Sequence, residues 1–467
     1  MKSLGIKIGL VPAHRAVFSP ELARKMRQAT LRAFSQAGIQ AVAPDERLCR
    51  HGLVESLEEG KKAAELFRRE KVAGVVIGAM NFGNEIPAAE AADIGVPVFV
   101  FGCKEEGRLT PAANRRDAFC GTLSIGTALR HRGICYAFPQ APICFPDEKG
   151  FLRDLERFAR ACKVIAGLRG SSYGQIGPRP LEFETCVFNE VSLLKQFQVK
   201  VLPFPLAEIF AEALAIKDTA RIKKVMAEIC AMADTSLVPK KSVERLARLE
   251  LALDLHVRKY HLQGLAVQCW TLIQEQFEVS PCTVMARFSQ RGIPAACEVD
   301  IHGAMSMHLL GLASGNPAGL ADWNNRHYKR RNVFSAWHCG VFPPGMAKAK
   351  PKMKTQKIIG QVTGEDRAMG TLEFEVKPGP VTLARLTETP EGEFKLLIAE
   401  GKVVKAEGET FGAHGWVEVS DLDCLYRALL SDFPHHTGIV MGHFGQALLE
   451  ACKFLGITPV VPLELSA

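Results

Sequence analysis

A chain of 467 residues is longer than one ordinary core accommodates, which predicts two to four domains. Its 47% hydrophobic and 23% charged residues exclude a disordered or fibrous protein, and with no run of ~18 apolar residues a membrane span is not expected. The net charge of +8 is local, because nine cations from Arg326 to Lys357 lie in a stretch between Trp323 and Gly364 that holds no acidic residue. That stretch reads either as a solvated linker or as attraction for an anionic substrate or partner. Nucleic-acid binding is not expected, since no base-stacking aromatic pattern accompanies it. The start MKSLGIKIGLVPAHR is unlike a secretory signal, and fourteen cysteines without a CxxC pair suit free thiols, so a cytoplasmic protein is expected.

The first ~165 residues alternate apolar runs with helical patterns. LGIKIGLVPA (4–13) predicts a strand, and 19–38 a helix with Ser19 as N-cap, Pro20 at its first position and Gly38 as its stop. IQAVAP, VAGVVIGA (72–79) and VPVFVFG (96–102) predict further strands separated by helices, the pattern of a parallel sheet covered on both faces. Ligands in such sheets gather at the carboxyl ends of the strands, but the region has no GxGxxG fingerprint for a dinucleotide. A second α/β unit begins near Val164. RGSSYGQIGPRP (169–180) reads as a Gly-rich turn region, QVKVLPF, QGLAVQCW and GIPAACEVD as strands, and 218–236 and 243–261 as long helices. From about Pro351, KIIGQVTG, GTLEFEVKP, PVTLARLTE, EFKLLIAEGKVVKAEG and GWVEVS show two-residue alternation with Gly/Pro turns and read as an antiparallel barrel or sandwich. The tail returns to a helix, 443–457, and a strand. The expected domains are 1–165, 166–350 and 351–467.

The chemistry concentrates at 292–305, GIPAACEVDIHGAM, where Glu298 and Asp300 stand among residues that normally pack a core, with His302 just beyond. Two carboxylates there carry a high desolvation cost unless a cation pairs with them, so the segment points to a metal or a catalytic proton. On a strand they would share one face. The plainer reading is that they end a strand or cap the helix beginning near His302. Two further groups join them: SDFPHHTGIVMGHFG (431–445), with His435, His436 and His443, and FSAWHCGVFPPG (334–345), with His338.

CW (269–270), GIPAACEVDIHGA, ADWN (321–324), WHCG (337–340), PHHTGIVMGHFG and RDAFCG (116–121) together resemble the L-fucose isomerase and L-arabinose isomerase superfamily, nearest its shorter fucose-isomerase-like members. The resemblance spans almost the whole chain. It implies two doubly wound, Rossmann-like α/β domains followed by a C-terminal antiparallel β-barrel, and interconversion of an aldose and a ketose through an enediol. It implies Mn2+, or another divalent cation such as Mg2+ or Co2+, held by two carboxylates and a histidine. Glu298 or Asp300 supplies one carboxylate, Asp300 being preferred, and His436 the histidine. An ungapped match puts the second carboxylate on Leu272 or Gln276, so Glu275 is taken as the nearby replacement. Trp270, His302, His338 and His443 are the expected sugar contacts, with His14 offered from a neighbouring subunit of a trimer or hexamer.

The basic stretch that follows the carboxylate segment suggests an anionic sugar. The departure at Leu272 and Gln276 supports a rival reading, a non-catalytic sugar-binding or regulatory protein that kept the isomerase fold and lost one metal ligand.

Overall fold

The computed structural model describes residues 3–108, 115–408 and 410–466, in two compact units, Met1–Ala166 and Gly167–Ala467. The first unit holds a parallel sheet of β1 (Lys7–Ala13), β2 (Gln40–Val42), β3 (Val75–Ala79), β4 (Val98–Cys103), β5 (Tyr136–Ala137) and β6 (Ile143–Cys144). Its order is β2-β1-β3-β4-β5, with β6 also paired to β4. Every residue of β3 and β4 is buried, which is why these strands read as unbroken apolar runs. Local chemistry sets the helix starts. Ser19 accepts the N–H of Leu22 ahead of Pro20–Gln36, and Ser56 and Glu59 form a reciprocal capping box for Leu57–Glu70.

The second unit contains a four-stranded parallel sheet, ordered β10-β9-β7-β8, from β7 (Ser172–Ile176), β8 (Lys200–Phe204), β9 (Gly264–Val267) and β10 (Ala295–Cys297). Strand β7 occupies the stretch expected to be a turn. Its Gly174 is small because a side chain there would meet Leu262 at 2.8 Å and Leu265 at 3.0 Å, so the glycine marks close packing within a strand. Beyond β10 the helix Ile301–Ser314 is buried along most of its length and packs against strands of both sheets of this unit.

The other sheet is mixed and nine-stranded. It comprises β11 (Gly319–Arg326), β12 (Val333–His338), β13 (Lys352–Thr355), β14 (Met369–Glu375), β15 (Gly379–Glu388), β16 (Phe394–Val404), β17 (Ala413–Glu418), β18 (His436–Met441) and β19 (Thr458–Val460). The order is β13-β14-β17-β12-β11-β18-β15-β16-β19, with β16 also paired to β17. The pairs β14·β17 and β16·β19 are parallel, so the sheet is not purely antiparallel as the alternation predicted. Strands β11 and β12 join it from chain before residue 351. KIIGQVTG, expected to be a strand, forms the helix Lys357–Thr363, because the Gln356 side chain caps it at the N–H of Ile359 (2.7 Å) and only one face is buried. Among the described residues no helix is long and apolar enough to cross a membrane.

Glycine 121, in the helix Ala118–His131, shows how tightly the first unit is packed: a Cβ there would stand 1.6 Å from the carbonyl oxygen of Phe82. Gly150, in the helix Lys149–Leu168, has nothing within 4 Å. Gly121→Ala is therefore expected to lower the unfolding free energy by about 2–3 kcal/mol through overpacking. Gly150→Ala is expected to leave it unchanged or raise it by up to about 1 kcal/mol. Urea denaturation of the two variants tests the opposite signs.

Candidate active site

The carboxylate segment is a turn, not the strand face its alternation suggested. β10 ends at Cys297, and Glu298 and Val299 follow with φ of 59° and 58°, in the left-handed region that a β-branched residue rarely enters. Two successive residues there cost roughly 1–2 kcal/mol each. They separate the two carboxylates, which therefore point to different partners.

Asp300 is the N-cap of the helix Ile301–Ser314 and is almost fully buried, at 1% exposure. Its Oδ1 accepts the N–H of Gly303 (2.8 Å) and Nη2 of Arg385 (3.1 Å), and its Oδ2 accepts Nη1 of Arg385 (2.5 Å) and Nδ1 of His436 (2.8 Å). Burial would raise its pKa, but the Arg385 guanidinium and His436 hold the carboxyl far below the usual carboxylate range. Both oxygens of Asp300 are thus already committed to donors, whereas Glu298 keeps a buried oxygen without a partner among the described residues.

An ionised carboxylate only accepts hydrogen bonds, so the contact with Asp300 places the proton of His436 on Nδ1 and leaves the lone pair of Nε2 free. That Nε2 lies 3.4 Å from Oε2 of Glu298 and 3.6 Å from Oδ1 of Asp322. Asp322 stands directly across from His436 in the β11·β18 register. Glu298 Oε2, Asp322 Oδ1 and His436 Nε2 are all buried without a hydrogen-bond partner among the described residues. Two carboxylate oxygens facing an unprotonated nitrogen at these distances make no good hydrogen bond, and their charge asks for a cation. The set of oxygen, oxygen and imidazole nitrogen fits a hard divalent ion.

Two more histidines border this group. His435 Nε2 lies 3.7 Å from Glu298 Oε2 and 4.0 Å from Asp322 Oδ1. Its pKa is raised, burial being outweighed by Glu298 and Asp322. His338, at the end of β12, has its ring centroid 5.4 Å from that of His436. Its Nδ1 accepts the backbone N–H of Cys339 (2.9 Å), which leaves the proton on Nε2, a buried donor with no partner among the described residues. The sulfur of Cys186 also lies within 4.8 Å of the Glu298 and His436 ligand atoms. Trp270 stands nearby through Phe183, whose ring centroid is 5.6 Å from that of Trp270 and 6.4 Å from that of His435.

The remaining expected residues have other partners. Glu275 is exposed on the short helical turn Ile273–Phe277, where it accepts Thr271 Oγ1 at 2.6 Å, and Leu272 and Gln276 share that turn's surroundings, apart from the convergent group. His302 is buried beside Glu388 at 3.7 Å, with its pKa pushed down to about 4 by burial and by Arg385. His443 is tied to Ser466 Oγ (2.8 Å) and the carbonyl of Gly401 (3.1 Å). His14, in the first unit, is buried against Asn81 (2.7 Å), and burial lowers its pKa. Asp322 lies within ADWN, and only the strand register brings it to His436.

The basic stretch is largely neutralised by acids from later strands and helices. Arg326 and Arg331 pair with Asp423, Arg330 with Glu418 (2.6 Å), Lys329 with Glu407 (3.2 Å) and Lys348 with Glu375 (2.7 Å). Its placement therefore gives no argument for an anionic substrate.

Comparison with known proteins supplies the family. Residues 9–169 match the N-terminal domain of the fucose/sulfoquinovose isomerases, and residues 336–461 match the C-terminal domain of L-fucose isomerase. The chain is 25% identical over 461 residues to the sulfoquinovose isomerase of Priestia aryabhattai, covering 96% of this chain and 97% of that protein. It is 25% identical to that of Alkalicoccus urumqiensis, over 84% of this chain and 86% of the relative. It is 26% identical to that of Clostridium sp. (strain MSTE9), over 82% and 84%. With both family domains in place and the relatives matched along nearly their whole length, the chain belongs to the fucose isomerase-like family of sugar isomerases.

Proposed function

We propose that the protein is a metal-dependent aldose–ketose isomerase whose substrate is an anionic aldose of the sulfoquinovose kind. The observation that carries this reading is the convergence of Glu298 Oε2, Asp322 Oδ1 and His436 Nε2, three buried polar atoms without hydrogen-bond partners among the described residues. The substrate class rests on the names of the relatives, all sulfoquinovose isomerases, and not on the basic stretch. Glu298, Asp322 and His436 would hold the cation, Mn2+ or another hard divalent ion such as Mg2+ or Co2+. When bound, that ion stabilises negative charge developing on the sugar's carbonyl and neighbouring hydroxyl oxygens.

The chain's own groups then account for the proton movements. Glu298, with an uncommitted oxygen, takes the proton from C2 of the open-chain aldose and returns it to C1, and the cis-enediol lies between the two transfers. Asp322, on β11, takes the proton of the C2 hydroxyl and delivers it to the C1 oxygen, so that the carbonyl moves from C1 to C2 with no net gain or loss of protons. His338 Nε2–H is a fixed donor for a sugar oxygen. Asp300 and Arg385 are positioning residues that fix the His436 ring and its tautomer.

The rival reading of a ligand-depleted binding protein was built on Leu272 and Gln276. Asp322 supplies the carboxylate that reading took as missing, which supports the enzyme. The additional pairing of β16 with β17 likewise supports reading the ring β17-β12-β11-β18-β15-β16 as a closed barrel.

Three outcomes are expected. Glu298→Gln and Asp322→Asn each reduce turnover of sulfoquinovose at least about 10³-fold with the fold retained by circular dichroism, whereas Glu275→Gln changes it less than about twofold; equal losses in all three would overturn the site. Removal of divalent ions by a chelator abolishes ketose formation and lowers the thermal midpoint, Mn2+ restores both, and Asp322→Asn shows no such thermal response to Mn2+. Asp300→Asn, which leaves the Arg385 charge buried without its counter-charge, costs about 3–5 kcal/mol of stability in chemical denaturation.

A further inference from the structure

An anionic aldose needs a cation at the end away from the reacting carbons, and the obvious candidates are already engaged. Both Nη atoms of Arg385 donate to Asp300, and Arg326, Lys329, Arg330 and Arg331 of the 326–357 stretch pair with Asp423, Glu407 and Glu418. Segments 177–189, 268–281, 298–300, 320–325, 336–340 and 433–438 carry the carboxylate, imidazole and aromatic groups of the site, and within these segments Arg179 is the one arginine or lysine.

Arg179 is also well placed. Its segment leaves the carboxyl end of β7, the strand next to β9, whose own carboxyl end leads to Trp270. Gly177, with φ of 80°, opens the turn, and a side chain there would meet Gln268 at 2.5 Å, so the segment hugs the end of β9. The same segment brings Phe183 against Trp270 and His435, and Cys186 to Glu298 and His436. Pro178 and Pro180 flank Arg179 and restrict its backbone before any ligand arrives. Arg179 is half-buried, and among the described residues its guanidinium has one, long, hydrogen bond, from Nη1 to the carbonyl of Pro180 at 3.4 Å. That carbonyl also accepts the N–H of Phe183 (3.2 Å), so the guanidinium lies over the turn that carries the aromatic wall of the site.

We infer that Arg179 is the specificity residue that receives the anionic group at C6 of the aldose through charge-assisted hydrogen bonds. This rests on the proposed isomerase reading. The test uses the full-length protein loaded with Mn2+, sulfoquinovose and its neutral counterpart 6-deoxyglucose, with turnover followed as ketose formation and binding followed separately by calorimetry. Arg179→Gln should weaken sulfoquinovose binding about 10- to 100-fold. The loss should appear in KM more than in kcat, so that the preference for the charged sugar collapses, and Arg179→Lys should recover part of it. An unchanged ratio between the two sugars in Arg179→Gln overturns the assignment, as does an equal loss for both. If the wild type binds sulfoquinovose through Arg179 yet turns over neither sugar, the isomerase reading fails and the assignment stands. If the wild type binds neither, both fail.

Discussion

The contact on which the second unit's site depends is the buried pairing of Asp300 with Arg385. One carboxylate at 1% exposure caps a helix, holds a guanidinium from β15 and orients an imidazole from β18, so three elements distant in sequence meet on two oxygen atoms. Burying such a pair gains little net stability, because desolvation of both ions consumes most of the Coulomb attraction. Its value is positional. With Oδ2 of Asp300 accepting from Nδ1, the His436 ring has one tautomer and one orientation, and its Nε2 must face Glu298 and Asp322.

The geometry around that contact is held under strain and by register. Glu298 and Val299 occupy left-handed conformations that neither prefers, and the surrounding structure offsets the cost by burying Val299 completely and starting a fully packed helix two residues later. Asp322 arrives by a different route. It sits opposite His436 because β11 and β18 pair from Gly319↔Ile439 to Asp322↔His436, and a slip of one residue would turn its side chain to the other face of the sheet. A strained turn and a strand register, built independently, thus converge on the same few ångströms.

How much of this was legible in the sequence varies with the range of the interaction. The first sheet was legible because its buried parallel strands are unbroken apolar runs, and the helix at Pro20–Gln36 because Ser19 and Pro20 are local signals. The carboxylate segment stood out through two charges in apolar company. Strand β7 was hidden because serine and glycine suggested a turn, whereas Gly174 answers to Leu262 and Leu265, far along the chain. The helix at Lys357–Thr363 was hidden because its cap is a glutamine, while its Ile and Val residues favour strands. Glu275 is near Leu272 in sequence, and one of its carboxylate oxygens accepts from Thr271 at the surface. Asp322 needed a cross-strand register that no local pattern encodes. The pairing of the basic stretch is hidden in the same way, since the acids that meet its cations come from residues 375–423.

The wide spacing of Glu298, Asp322 and His436 along the chain also has a consequence for assembly. Their convergence requires the turn after β10, the pairing of β11 with β18 and the docking of β15 all to be complete. Such non-local contacts form late, after most of the chain entropy has been lost. A cation held by all three side chains, as proposed, would therefore have nothing to grip in a partly ordered chain. It would act as a seal on the finished fold and not as a seed for making it.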